Sequence, residues 1–143
     1  KHPCPIPEVS HEPQSPVNHN GKPNKVTVCA VNVKPSSHPL VTIVESLSIT
    51  GNPIENLDAL ESLESYGGLS LAGTSISNLS IFSDKTLSSG GIHISNNNNL
   101  IDLQGFESIT ELAALSVFNN ASLKNFTGLN NLDSIGYYFY ILL

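Results

Sequence analysis

The sequence predicts a mainly β fold. The expected architecture is a parallel β-solenoid of leucine-rich repeats, 22–23 residues long, behind an irregular N-terminal arm. Three observations predict it. Short apolar alternations open at Leu47, Leu69, Ile92, Leu115 and Tyr138, so successive starts lie 22, 23, 23 and 23 residues apart. The same place after the first four is held by Asn52, Thr74, Asn97 and Asn120. Two small residues, Gly67-Gly68, Gly90-Gly91 or Ala113-Ala114, stand before the second, third and fourth starts. A constant period of this length marks a solenoid, in which each unit buries its apolar face only against its neighbours.

Each position of the unit has a mechanical reason. Leu47 and Ile49 alternate with Ser48 and Thr50, the period of a strand with one buried face. This predicts one strand per unit over residues 47–140. Leu47, Leu69, Ile92, Leu115 and Tyr138 should then stack in one buried column. After the strand, Ile54, Leu57, Leu60 and Leu63 recur at three-residue spacing, which suits 3-10 turns better than a long helix. The second pair of units carries one extra residue after the Asn. Asn52, Asn97 and Asn120 are expected to point inward as a ladder, since an amide supplies two donors and an acceptor for the backbone of a tight turn. Thr74 should interrupt that ladder. The Gly pairs should supply positive φ and close backbone approach before each strand.

Charge divides the chain. Residues 1–38 hold four Lys and two Glu, with seven of the nine prolines and four of the five histidines. Residues 39–143 hold two Lys and ten acids, and the whole chain carries −6 with no Arg. Two segments follow: a Pro/His-rich arm with a capping strand at 1–38, and the solenoid at 39–143. Nucleic acid and anionic membrane surfaces are not expected partners of so acidic a body. No apolar run approaches the length of a membrane span, so direct membrane insertion is not expected. No signal-peptide pattern opens the chain. A first residue of Lys1 and the absence of Met fit a processed product or an excised fragment.

Within the arm, residues 26–33 (Val-Thr-Val-Cys-Ala-Val-Asn-Val) read as a strand that could cover the open end of the first repeat. Cys4 and Cys29 are the two cysteines. They are expected to form a disulfide pinning the arm to this strand, the alternative being two free thiols in a reducing compartment. Asn78, Asn120 and Asn125 open N-glycosylation sequons. Asn78 and Asn125 fall at equivalent outward positions and are the glycosylation candidates. Asn120 falls on the ladder and should be buried and unmodified.

The stretches GGIHISNNNNLIDLQGFESI and LSVFNNASLKNFTGLNNLDSIG carry a resemblance. Their order of strand, Asn, spaced leucines and small residues resembles the receptor L domain, the leucine-rich-repeat-like solenoid of receptor ectodomains and of fungal and bacterial surface proteins. The resemblance covers residues 40–143. It implies an extracellular or cell-surface location and protein or glycan binding, with no catalytic residues to carry over.

The residues themselves point the same way. His2, His11, His19 and His38 lack the close pairing of a metal motif, and His93 lies between two inward residues without an evident relay to Asp102 or Glu107. There is no phosphate-binding loop and no nucleophile elbow, so neither enzyme activity nor a cofactor is expected. The outward residues Ser48, Thr50, Ser70, Ala72, His93, Ser95, Ser116, Phe118 and Phe139 form the candidate binding face, with Phe118 and Phe139 as an aromatic pair. The alternative is a plain solvated sheet. A rival function rests on Tyr138, Phe139, Tyr140, Ile141, Leu142 and Leu143, an uncharged apolar edge. Such an edge is a template for pairing, and further copies stacking head to tail would give a filament or surface layer.

Overall fold

A computed structural model describes residues 26–29, 42–50 and 54–143. It is a parallel β-solenoid of about four turns. In chain order the strands are β1 Val26–Cys29, β2 Thr42–Val44, β3 Ser46–Thr50, β4 Leu63–Tyr66, β5 Leu69–Ala72, β6 Thr86–Leu87, β7 Ile92–Ser95, β8 Glu111–Phe118 and β9 Ser134–Leu142. Six of them form one sheet in the order β1-β3-β5-β7-β8-β9, and β2-β4-β6 form a second, smaller one. All pairings are parallel except the first: β1 runs antiparallel to β3, with Val26 opposite Ile49 and Val28 opposite Leu47. The sheet therefore does not begin bare at β3, as expected of a strand at 26–33. Cys4 and Asn52, and the rest of the arm, lie outside the described residues.

The expectation of one strand per unit is corrected. The first three units each carry two strands, one in each sheet, separated by a corner. The corners fall at Glu45, at Gly67-Gly68 and at the turn closing on Gly90-Gly91. Where Ala113-Ala114 and Gly136-Tyr137 stand instead, one strand runs straight through, giving the eight-residue β8 and the nine-residue β9. Glycine weakens strand continuity and alanine does not, which fits the breaks at the two Gly pairs, while the first corner forms at Glu45 without glycine. Neither Gly pair has positive φ. Their other expected role holds: a Cβ on Gly90 would collide with the Gly67 carbonyl of the preceding unit.

The core is two stacked columns plus the return-side apolar residues. Leu47, Leu69, Ile92 and Leu115 align in register, as do Ile49, Leu71, Ile94 and Val117, and all eight are buried. On the return side, 3-10 helices at Asp58–Leu60 and Ser80–Phe82 place Leu60 and Phe82 inward. Tyr66, Phe82 and Phe106 stack with ring centroids 5.3 and 5.6 Å apart. Burial drives the Tyr66 phenol well above its ordinary pKa, so the ring behaves as a neutral core residue.

The fifth strand departs from the expected register. Leu115 pairs with Phe139, not with Tyr138, because an irregularity between Leu112 and Ala114 lets β9 carry one extra residue. A one-residue slip exchanges the two faces of a strand. Here it puts Phe139 and Ile141 in line with the core columns, and Tyr138 and Tyr140 on the outer face, where their hydroxyls meet water. Phe139 nevertheless stays more than half exposed, because among the described residues no further strand packs over it.

Asn97 and Asn120 form the expected ladder and are fully buried. Asn97 Nδ2 donates to the Leu71 and Ser95 carbonyls, and Asn120 Nδ2 donates to those of Ile94 and Phe118. The Asn97 N–H donates to Asn120 Oδ1 at 2.9 Å. Thr74 is joined to the ladder on the Asn97 side. Its N–H and its hydroxyl both donate to Asn97 Oδ1, at 3.0 and 2.7 Å, so a residue without an amide serves there as a double donor. The residue before each rung is left-handed: Gly73, Asn96 and Asn119. Asn is the side chain that tolerates this conformation best after glycine. The run of four asparagines thus divides its labour. Asn96 turns the chain, Asn97 holds the ladder, Asn98 is exposed, and Asn99 reaches back to the Ser75 carbonyl.

Lys85 is the exception in the core. It takes the place that Ile109 and Leu132 hold in the next two units, each three residues past an inward side chain whose carbonyl accepts its N–H. It is only 4 % exposed. Its ammonium donates to the Glu61 carbonyl and to the exposed Asp84 carboxylate, at 3.4 and 3.1 Å. Burying an ammonium is costly, and pairing it with an exposed carboxylate returns little of that cost. Lys85→Leu is therefore expected to leave thermal stability unchanged or to raise the melting temperature by a few degrees. A clear fall in a thermal melt would show that the ammonium stabilises this turn.

Candidate functional site

The outer face of the six-stranded sheet is set by the strand register. One row across it reads Ser48, Ser70, His93, Ser116, Tyr140; the next reads Thr50, Ala72, Ser95, Phe118, Leu142. The first strands give a low floor of hydroxyls and one methyl, and the last three strands give rings. The expected outward Phe139 is corrected: it lies in the row of Leu115, on the core side, and Tyr140 takes its place outside. The aromatic partner of Phe118 is therefore Tyr140, with centroids 5.9 Å apart and the rings edge to face. On its other side Phe118 meets His93 at 5.2 Å, again edge to face. Each contact is a diagonal across neighbouring strands, within reach of aromatic side chains.

This zigzag of three rings explains two burials that alternation alone does not predict. Ser95 and Ser116 point outward by register yet are almost fully covered. Ser95 lies beside Phe118, with its Oγ 3.3 Å from His93 Nε2, and Ser116 lies between His93 and Tyr140. His93 and Phe118 are half-buried and Tyr140 is exposed. Tyr138, opposite Ala114, extends the ring row along β9 and is also exposed. The face is a step, low at β3 and β5 and aromatic at β7 to β9.

The carboxylates near this face in sequence are engaged elsewhere. Asp102 accepts from the Gln104 N–H and Glu107 accepts from the Gly105 N–H, so neither orients His93. Among the described residues no three His, Cys, Asp or Glu side chains gather into a metal-binding group. No helix among them is long and apolar enough to cross a membrane. Of the proposed disulfide, Cys29 ends β1 opposite Ser46, and Cys4 lies outside the described residues.

A second feature was not legible in the hydropathy. Asn56, Asn78, Asp102 and Asn125 occupy one column on the corner after the sheet. In each, the side-chain Oδ1 accepts the backbone N–H two residues on, at 3.4, 3.3, 3.1 and 3.0 Å. These Asx turns start the return segment of every unit. Beside the column runs an open groove of about 670 Å³, with Glu55 of the first unit and Lys124 of the fourth among its lining residues.

The edge residues Tyr138, Phe139, Tyr140, Leu142 and Leu143 are all at least half exposed in the single chain, and Ile141 is half-buried. No protein-family model matches this chain, and no curated protein or solved structure matches it either.

Proposed function

We propose that the chain is a secreted or cell-surface, non-catalytic interaction module of the receptor L-domain-like kind, binding a protein or glycan ligand through the outer face of the large sheet. The observation that carries this reading is the row His93, Phe118 and Tyr140 standing over a floor of serines. Accessible aromatic rings dominate contact energies at recognition surfaces, and His93 and Tyr140 add polar atoms beside the Phe118 ring. The hydroxyl floor supplies adaptable hydrogen bonds beside them. The test is a screen of the chain against immobilised glycans and extracellular-domain proteins, followed by Phe118→Ala and Tyr140→Ala. Each substitution is expected to weaken a ligand found this way about tenfold, as loss of a central aromatic contact does. An affinity unchanged in both variants would remove the face from the reading.

A second reading, end-to-end self-assembly, is favoured by one observation. The Asn120 N–H is buried, and among the described residues no acceptor faces it, whereas the same N–H of Thr74 and of Asn97 meets the Oδ1 of the next Asn. A strand pairing on β9 and carrying an Asn at that place would complete the ladder. The charge contrast between the basic arm and the acidic solenoid favours head-to-tail order. Light scattering across a concentration series decides it: the mass should grow with concentration, and a monomer throughout excludes this reading.

A further inference from the structure

We infer that Asn78 and Asn125 are N-glycosylation sites and that Asn120, with an equally good sequon, is not. The inference rests on the extracellular reading above and adds a modification pattern to it. The side-chain amides differ in a way that bears directly on the chemistry. In glycosylation the Asn Nδ2 attacks the anomeric carbon of a lipid-diphosphate-linked oligosaccharide. A C–N bond forms, the C–O bond to the diphosphate breaks, the lipid diphosphate leaves, and the amide gives up one proton. The nitrogen must therefore be free at the moment of transfer, and the sugar it then carries must have room in solvent once the chain is folded.

Asn78 and Asn125 meet that condition. Both are exposed. In each, the oxygen is the engaged atom: Asn78 Oδ1 accepts from the Ser80 N–H and from the Ser80 hydroxyl, the latter at 2.8 Å, and Asn125 Oδ1 accepts from the Thr127 N–H. The hydrogen-bonding partner of each oxygen is the third residue of its own sequon. Among the described residues neither Nδ2 has an acceptor, so a sugar there displaces no bond. The two share one column, two units apart, which at the spacing of paired strands is about 10 Å. Asp102 holds the intervening place with the same turn geometry, so no glycan falls between them.

Asn120 is the reverse case. It is 2 % exposed, and its Nδ2 spends both protons on the Ile94 and Phe118 carbonyls while its Oδ1 takes the Asn97 N–H. A sugar on this nitrogen would remove a donor and force a large group into the core. Where modification precedes folding, chains glycosylated at Asn120 would fail to fold and would be lost to quality control. Only chains unmodified there are expected among the folded product.

The experiment is secretion of the chain from a eukaryotic host behind a heterologous signal sequence, then peptide mass spectrometry with and without endoglycosidase. Glycans are expected on Asn78 and Asn125, with none on Asn120. Asn78→Gln and Asn125→Gln should each remove one glycan, and Ser122→Ala, which destroys the third sequon while keeping Asn120, should leave the number unchanged. A glycan on Asn120 of folded protein, or bare Asn78 and Asn125 in a secreted chain, overturns the inference. Because the host supplies the compartment, that result is independent of where the chain works. The sheet-face reading stands or falls separately, on Phe118→Ala and Tyr140→Ala.

Discussion

Replacing Asn97 by leucine is expected to cost about 3 kcal/mol or more of unfolding free energy, since two buried donors lose their acceptor at roughly 1–3 kcal/mol each. Those donors are the N–H and the hydroxyl of Thr74, both of which end on Asn97 Oδ1. The Leu71 carbonyl also loses the Nδ2 that serves it, while the Ser95 carbonyl keeps the Gly73 N–H. The leucine gains no transfer energy that would offset this, because the pocket it enters is lined with backbone polar groups. Total stabilities of single domains are about 5–15 kcal/mol, so the loss is a large share. Thr74→Val separates this from a generic core effect. It removes one hydroxyl and leaves Asn97 Oδ1 with the backbone donor, so about 1 kcal/mol is expected. Urea unfolding with an unchanged m-value reads both. Equal small losses in the two variants would show that the ladder is ornament and that packing alone holds the turns.

The solenoid was legible because its cause is periodic. Leu47, Leu69, Ile92 and Leu115 recur at a fixed interval, and fixed intervals survive any uncertainty about local turn type. The Asn ladder was legible for the same reason: a polar residue at one place in every unit needs a common partner. What the sequence hid was local and geometric. The second sheet is short, and its strands lie in stretches whose apolar spacing reads equally well as turns. The register of β9 turns on one extra residue near Gly136, and the run Tyr137, Tyr138, Phe139, Tyr140 offers apolar rings in both phases. Nothing in the one-dimensional pattern chooses between the two phases. The place of Lys85 is not legible either, because a lysine among leucines reads as a surface residue, yet its stem fills a core place and its ammonium finds a carbonyl and a carboxylate. The burial of Ser95 and Ser116 needs diagonal contacts between strands, which no one-dimensional pattern contains.

The extra residue after Asn97 and Asn120 goes with a different turn, and a substitution there has a large expected effect. The first two units turn through 3-10 helices at Asp58–Leu60 and Ser80–Phe82, and the last two turn instead through Gly105 and Gly128, with φ of +120° and +111°. That region is open to glycine alone. Space is closed as well: a Cβ on Gly105 would fall deep inside contact distance of the Leu79 carbonyl, and one on Gly128 would do the same at Leu103. Each struck carbonyl belongs to the preceding unit, so relief would require two stacked backbones to separate. Gly105→Ala is therefore expected to lose about 4 kcal/mol, combining backbone strain of roughly 1–3 with overpacking of similar size. Gly73→Ala is the control. Its φ is +66°, but nothing lies within 4 Å of the added carbon. It should lose about 1–2 kcal/mol, the ordinary penalty for a left-handed L-residue. Gly73→Asn should lose less than Gly73→Ala, because Asn96 and Asn119 already hold the equivalent left-handed position in the next two units. Equilibrium unfolding of the three variants side by side tests this. If Gly105→Ala proves no worse than Gly73→Ala, then conformation alone explains these glycines, and the close approach of adjacent units does not constrain the stack.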